Sequence, residues 1–391
     1  MPPKKQEENL LADMIRDIRH MWTHRRGQEI PGAILDTFGN LRYATPDGRH
    51  PVMCAQRRTD YGWHLVFVLP PGISFGRVKK HRDVFCDAVN GWINLSWDGK
   101  LHMDIYTGRV PVHVAYAWDP APFAHMGLPV PIGYSAAGLE VVDLAALPHM
   151  RVGGTTFTGK SNFLHTVLIS LAMLSRVRLA VIDLALLEFS YVRNHAAFAA
   201  DTPTAVRLLA ALEREMHRRR KVLDAAGVVK IQEYVGEDLP FIVLIIDEFS
   251  FVNPDGTPDK GEKELRKACQ AISSNLAALA RKVGIHLVVA MQRPDMKILP
   301  GQLKANLPGA LSFKTINAVN SEIILDNAAA AELPDIKGRA IWQVGNRQME
   351  LQTMHLPHDE ARRILQARKE VSRDGSTHWW EECSRLRLPA R

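Results

Sequence analysis

The sequence runs to 391 residues, 46% hydrophobic and 23% charged, a balance that excludes disordered and fibrous chains and leaves room for two domains with a large core. Forty-nine Lys and Arg face 42 Asp and Glu, a net charge of +7 with a pI of about 9.2, which suits a polyanionic partner without identifying one. Cys54, Cys86, Cys269 and Cys383 show no paired or metal-type spacing, which implies a reducing, cytoplasmic setting. Apolar runs such as Phe163 to Leu174 fall far short of the roughly 20 residues of a bilayer span, and the polar N-terminus has no apolar core, so neither a transmembrane anchor nor a signal peptide is expected.

In chain order, Leu10, Leu11, Met14, Ile15, Ile18 and Trp22 recur at helical spacing, which predicts an amphipathic helix in an N-terminal extension over residues 1–60. Trp63, Leu65, Phe67 and Leu69 then alternate with other residues up to Pro70 and Pro71. A helical pattern from Val78 to Trp92 and a second alternating run from Leu101 to Tyr106 follow, predicting a small α/β subdomain over residues 61–125. Prolines at 120, 122, 129 and 131 mark a linker, placing the boundary near residue 125.

Beyond it, short apolar runs at Val177 to Ile182, Phe241 to Ile246 and Ile285 to Ala290 alternate with helical patterns at Pro203 to Leu223 and Lys263 to Val283. That rhythm predicts a mainly parallel sheet with helices on both faces over residues 126–367. The stretch from Asn253 to Lys263 reads as a mobile polar loop, and residues 368–391 as a tail.

The chemistry centres on Gly154, Thr155, Thr156, Phe157, Thr158, Gly159, Lys160 and Ser161, which fit the phosphate-loop pattern G-x-x-x-x-G-K-[ST] and lie between an apolar run and a helical one beginning at Asn162. Glycines let the backbone turn its N–H groups toward phosphates, Lys160 reaches the β and γ oxygens, and Ser161 is the expected Mg²⁺ ligand. The apolar run ending at Ile246 delivers Asp247 and Glu248, where a Walker B pair is expected: Asp247 for Mg²⁺ and Glu248 for the water that attacks the γ-phosphate. Gln292, at the tip of a third apolar run, reads either as a sensor of that phosphate or as a turn residue. ATP and Mg²⁺ are therefore the expected cofactors.

The segments His149 to Ser161, Ile182 to Glu188, Leu239 to Phe249, Gly284 to Pro294, Leu303 to Pro308 and Ile324 to Asp326 resemble, in the same order, the motor motifs of FtsK/SpoIIIE DNA translocases, over roughly residues 128–356. The resemblance implies a RecA-like P-loop NTPase fold of the α/β class, and a homo-oligomeric, hexameric ring threading double-stranded DNA. It also implies a trans-acting arginine at Arg281, and a DNA-touching loop from Arg293 to Lys304 in which Lys297 and Lys304 are the candidate phosphate contacts. Departures accompany it. Phe157 replaces a small residue, Asn320, Ser321 and Glu322 stand where the family commonly carries Asp-Ser-Arg, and nothing after about residue 360 resembles the winged helix of chromosome-segregating members. The expectation is a DNA motor of plasmid, conjugative or phage transfer, with a relaxase or transfer-pore proteins as partners. A single-stranded-DNA coupling ATPase and a protein-translocating ATPase of the type VII secretion kind are the alternatives.

Overall fold

The computed structural model describes residues 30–59, 62–185, 188–236, 238–292 and 299–369. The expected helix over Asn9 to Trp22 and the tail lie outside them. Chain contacts divide the molecule into two units, one running to Arg109 and taking in Ala136–Gly138, the other comprising the remainder from Val110.

In the first unit, helix α1 (residues 30–40) brings Ile30, Ile34 and Phe38 to one buried face, as a repeat of four residues requires. The elements that follow are β1 (Val52–Thr59), β2 (Gly62–Val68), α2 (Phe75–Lys80), α3 (Arg82–Val89), β3 (Trp92–Trp97) and β4 (Leu101–Tyr106). The strands form an antiparallel sheet in the order β1-β2-β4-β3. Its core sets Phe38 edge-on against Phe67 and Phe85, with centroids 5.1 and 4.8 Å away, a favoured aromatic arrangement.

Two expectations change here. Residues 30–59 are part of this sheet unit, because α1 needs its apolar face covered and β1 pairs along β2. The single helix from Val78 to Trp92 is two helices meeting at His81, whose ring Nδ1 lies 2.8 Å from the Tyr43 hydroxyl. The second ends at Asn90, held at φ +46°, before Gly91, where a Cβ would lie 2.4 Å from the Tyr106 carbonyl oxygen. Trp92 therefore opens a strand.

The second unit begins before the proline cluster, not after it. Asp143 accepts hydrogen bonds from the N–H groups of Gly127 and Leu128, and Trp118 stacks on Phe123, so the expected linker is built into this unit. Its elements are β5 (Pro129–Ser135), β6 (Gly138–Asp143), β7 (His149–Gly153), α4 (Lys160–Ala172), β8 (Val177–Ile182), β9 (Ala197–Ala199), α5 (Thr202–Ala225), β10 (Phe241–Ile246), α6 (Lys260–Leu279), β11 (Ile285–Met291), α7 (Gly301–Ala305), β12 (Gly309–Phe313), α8 (Ala318–Leu325), β13 (Arg339–Val344), β14 (Arg347–Gln352) and α9 (His358–Lys369).

They form a 10-stranded sheet in the order β6-β5-β14-β13-β12-β7-β11-β10-β8-β9. The pairs from β12 to β9 are parallel, as the alternating rhythm predicts. The hairpin of β13 and β14 extends the sheet in antiparallel fashion. The polar stretch after Asn253 is partly ordered, with a 3₁₀ turn at Pro254–Gly256 and the Asp259 carboxylate capping α6 at the Glu262 N–H. Helix α4 is buried along most of its length, as expected for a helix packed against the central strands. Among the described residues no helix is long and apolar enough to cross a membrane.

Two buried histidines give this unit a pH dependence. Burial pushes His149 down to about 3 and His286 down to about 4. The Leu287 N–H donates to His149 Nδ1, and His286 Nδ1 lies 2.8 Å from the Pro148 carbonyl oxygen. Both rings are thus neutral when folded, whereas an unfolded imidazole titrates near about 6.5. The unfolded chain takes up protons first, so the stabilisation is complete above that value and is lost as pH falls toward 4. Between pH 7 and 5 each histidine is expected to cost about 2 kcal/mol. Urea unfolding across that range checks this, with His286→Gln removing one share of the slope.

Candidate active site

Strand β7 ends at Gly153, and the loop to α4 turns at Gly154, φ +153°, where a Cβ would lie 2.6 Å from the Phe313 side chain. At Gly159, φ +117°, a Cβ would meet the Gly338 backbone at 3.0 Å, so glycine is required sterically as well as conformationally. The loop is pinned from outside: Thr155 N–H donates to the Lys314 carbonyl at 3.2 Å and Gly338 N–H to that of Thr158 at 2.8 Å. Within it, the Thr158 hydroxyl donates to the Thr155 carbonyl at 2.6 Å. Phe157 is held at φ +66° with its side chain 85% exposed, a conformation that costs a bulky residue about 1–2 kcal/mol.

Lys160 opens α4 and is buried. Its ammonium donates to the carboxylate of Asp247 at 2.9 Å and to the carbonyl of the same residue at 2.8 Å. The P-loop strand and the carboxylate strand are not neighbours, because β11 lies between them. That interposition places Gln292, just past the end of β11, between the two motifs. Its side-chain oxygen accepts from the Thr156 hydroxyl at 3.2 Å, and its backbone N–H donates to Glu248 at 2.7 Å. The other oxygen of Glu248 accepts from the N–H of Ser250 at 3.2 Å and from its hydroxyl. The buried Glu248 carboxylate is therefore aimed by β11 and by the 3₁₀ turn Phe249–Val252 that follows it.

The loop opens into a cavity of about 460 Å³ lined by Thr155, Thr156, Phe157, Gly159, Lys160, Ser161 and Asn162, and by Gln292. Glu188, which lay in a recognised motif without a role, also lines it. Its carboxylate sits 3.6 Å from the His165 imidazole, whose hydrogen bond holds its pKa below the usual carboxylate range. Asn162 is less free than expected. Its amide donates to the Met354 carbonyl at 2.6 Å and accepts from the Leu356 N–H at 2.8 Å, so it clamps the cavity wall.

Arg281 is exposed in the 3₁₀ turn Arg281–Val283, ahead of β11, while Gln292 follows that strand. A seven-residue strand at about 3.3 Å per residue separates them by roughly 20 Å. Arg281 therefore stands at the end of the sheet opposite its own P-loop. The Lys304 ammonium is engaged within the chain, 2.7 Å from the Asp326 carboxylate and 3.0 Å from the Glu322 carbonyl oxygen. Lys297 lies outside the described residues.

Arg151 carried no sequence signal of function. Buried on β7, it donates to the carbonyls of Ile324, at 2.6 Å, and Leu307, and to the Asp326 carboxylate at 3.3 Å. It ties the P-loop strand to α7 and α8, the helix in which Asn320, Ser321 and Glu322 stand in place of the expected family pattern.

A glycine loop between a central parallel strand and a helix, a buried lysine on a strand-end aspartate, and a neighbouring glutamate define a P-loop ATPase of the RecA-like kind. The chain carries an FtsK/SpoIIIE domain, residues 118–253 matching the FtsK/SpoIIIE family model. It is 36% identical over 207 residues to the DNA translocase FtsK of Campylobacter jejuni, spanning 49% of this chain and 21% of that protein. To the DNA translocase FtsK of Chlamydia pneumoniae it is 33% identical over 230 residues, 53% of this chain and 27% of the other. The alignments thus span only about a fifth to a quarter of these relatives. Among solved structures, the pCW3 conjugation coupling protein TcpA, in its monomer form with ATPγS, superposes with a TM-score of 0.63 at 23% identity, covering 88% of this chain and 100% of that one. EssC (ATPases 2 and 3) from Geobacillus thermodenitrificans gives 0.56 at 18% identity, covering 67% and 52%. These two likenesses concern the fold.

Proposed function

We propose that this protein hydrolyses ATP in a homo-oligomeric, hexameric ring in the cytoplasm and uses the energy to move duplex DNA. The process served is plasmid, conjugative or phage DNA transfer, in company with a relaxase or transfer-pore proteins. The observation that carries this reading is the bridge through Gln292. One residue touches both the P-loop, at Thr156, and the Glu248 carboxylate, and the chain leaves it directly into the segment from Arg293 to Lys304. A change at the γ-phosphate would alter the partners of Gln292, which directly precedes in sequence the stretch proposed to touch DNA. The FtsK translocases supply the DNA substrate, and TcpA the link to conjugation.

Ser161 and Asp247 would hold Mg²⁺. Both offer the oxygen donors that ion takes, and the Asp247 carboxylate is already positioned by a cation, the Lys160 ammonium. Bound there, the ion would supply charge neutralisation at the phosphates.

Steady-state ATP hydrolysis with no DNA, duplex or single strands, at low and moderate salt, tests the reading. Strong stimulation by duplex that fades as salt rises is expected, because phosphate contacts release counterions. Stimulation by single strands alone would move the reading to strand coupling. Hydrolysis indifferent to all DNA would sink it and favour a protein-translocating ATPase.

A further inference from the structure

The cavity beside the P-loop extends past the residues a triphosphate needs. It is also lined by His113 and Val114 on one segment and by Thr353 and His355 on another. These segments are joined: His355 N–H donates to the Val114 carbonyl at 2.6 Å and Tyr116 N–H to that of His355 at 3.1 Å, with Ala115 and His355 bridged in parallel. The His113 and His355 rings lie with centroids 5.3 Å apart, tilted by 52°, and both residues are exposed. Rings at that spacing leave no room for a third ring between them, and at that tilt a flat base can stack on one of them while meeting the other edge-on. The position of the pair relative to the phosphate cradle is set by Asn162, two residues past Lys160, whose amide grips Met354 and Leu356 on either side of His355.

We infer that His113 and His355 are the nucleobase platform of this site, so that the chain grips its nucleotide by stacking on the base as well as by cradling the phosphates. The inference rests on the ATP reading of the P-loop. Stacking uses the π face that every base has, so adenine and guanine should be taken almost alike.

The test is calorimetric binding of ATP, GTP and inorganic tripolyphosphate to the full chain and to His113→Ala, His355→Ala, the double variant and His355→Phe. The expected result for the double variant is a loss of ATP and GTP affinity of between about 5-fold and 150-fold, the range for removing a stacking partner, with tripolyphosphate binding unchanged. His355→Phe, which keeps a π face, should retain most of the affinity. Unchanged ATP affinity in the double variant overturns the platform. So does an equal loss for tripolyphosphate, because the histidines would then support the fold instead of the base. If the unaltered chain binds neither ATP nor tripolyphosphate, the P-loop reading itself fails and the platform with it.

Discussion

Lys160→Ala is expected to bring ATP turnover to background and at the same time to destabilise the nucleotide-free chain. The first effect follows from the role of the ammonium on the β and γ oxygens. The second follows from the ion pair: the Lys160 and Asp247 side chains are only 3% and 4% exposed. Removing one member of a buried pair leaves the other charge uncompensated, at a cost of about 3–5 kcal/mol. Glu248→Gln separates the two effects. It keeps the size of the side chain, so the fold should hold and ATP should still bind, while turnover drops by about 10²- to 10⁴-fold, the range for losing a group that handles the attacking water's proton. Hydrolysis assays beside urea unfolding check both variants. If Lys160→Ala kept most of its turnover, the assignment of the P-loop would be wrong. If it unfolded like the unaltered chain, the ion pair would contribute nothing.

Arg281→Ala should lower turnover by about 10³-fold or more, as loss of an arginine finger does, yet leave ATP affinity nearly unchanged. Arg281 stands at the opposite end of β11 from Gln292 and Glu248, so it cannot reach the P-loop of its own subunit without dismantling the strand. A mixing experiment isolates this. Arg281→Ala chains retain an intact P-loop, and Lys160→Ala chains retain an intact arginine, so the proposed ring, assembled from a mixture, would contain interfaces with both. Activity of the mixture well above that of either variant alone is the expected outcome. A mixture no more active than its components would show that Arg281 is a solvated cation at a helix end, where the dipole favours one.

The buried histidines bear on how these assays are run. Below about pH 6.5 their protonation favours the unfolded chain, so turnover measured in acid would mix chemistry with stability. Assays near pH 7.5 keep the two apart.

The sequence by itself determined what local spacing can encode. A strand, a glycine loop and a helix within a few residues place Lys160 and Ser161, and an apolar run ending in two carboxylates places Asp247 and Glu248, because each motif owes its geometry to its own backbone. The alternation of short apolar and longer helical runs likewise announced the parallel strands. Tertiary structure decided the rest, through pairings between residues far apart in the chain. Only the strand order puts β11 between the two motifs and so makes Gln292 their bridge. Only the grip of Asn162 on Met354 and Leu356 brings the region of His355 to the P-loop cavity. Nothing local to Lys304 announces that its ammonium is held by Asp326, 22 residues away. The break at His81 had the same origin, since a helical pattern carries no sign that a tyrosine hydroxyl from residue 43 will meet it there. Periodicity reports which face of an element is apolar; it says nothing about which distant element covers that face, and the covering elements are what complete this site.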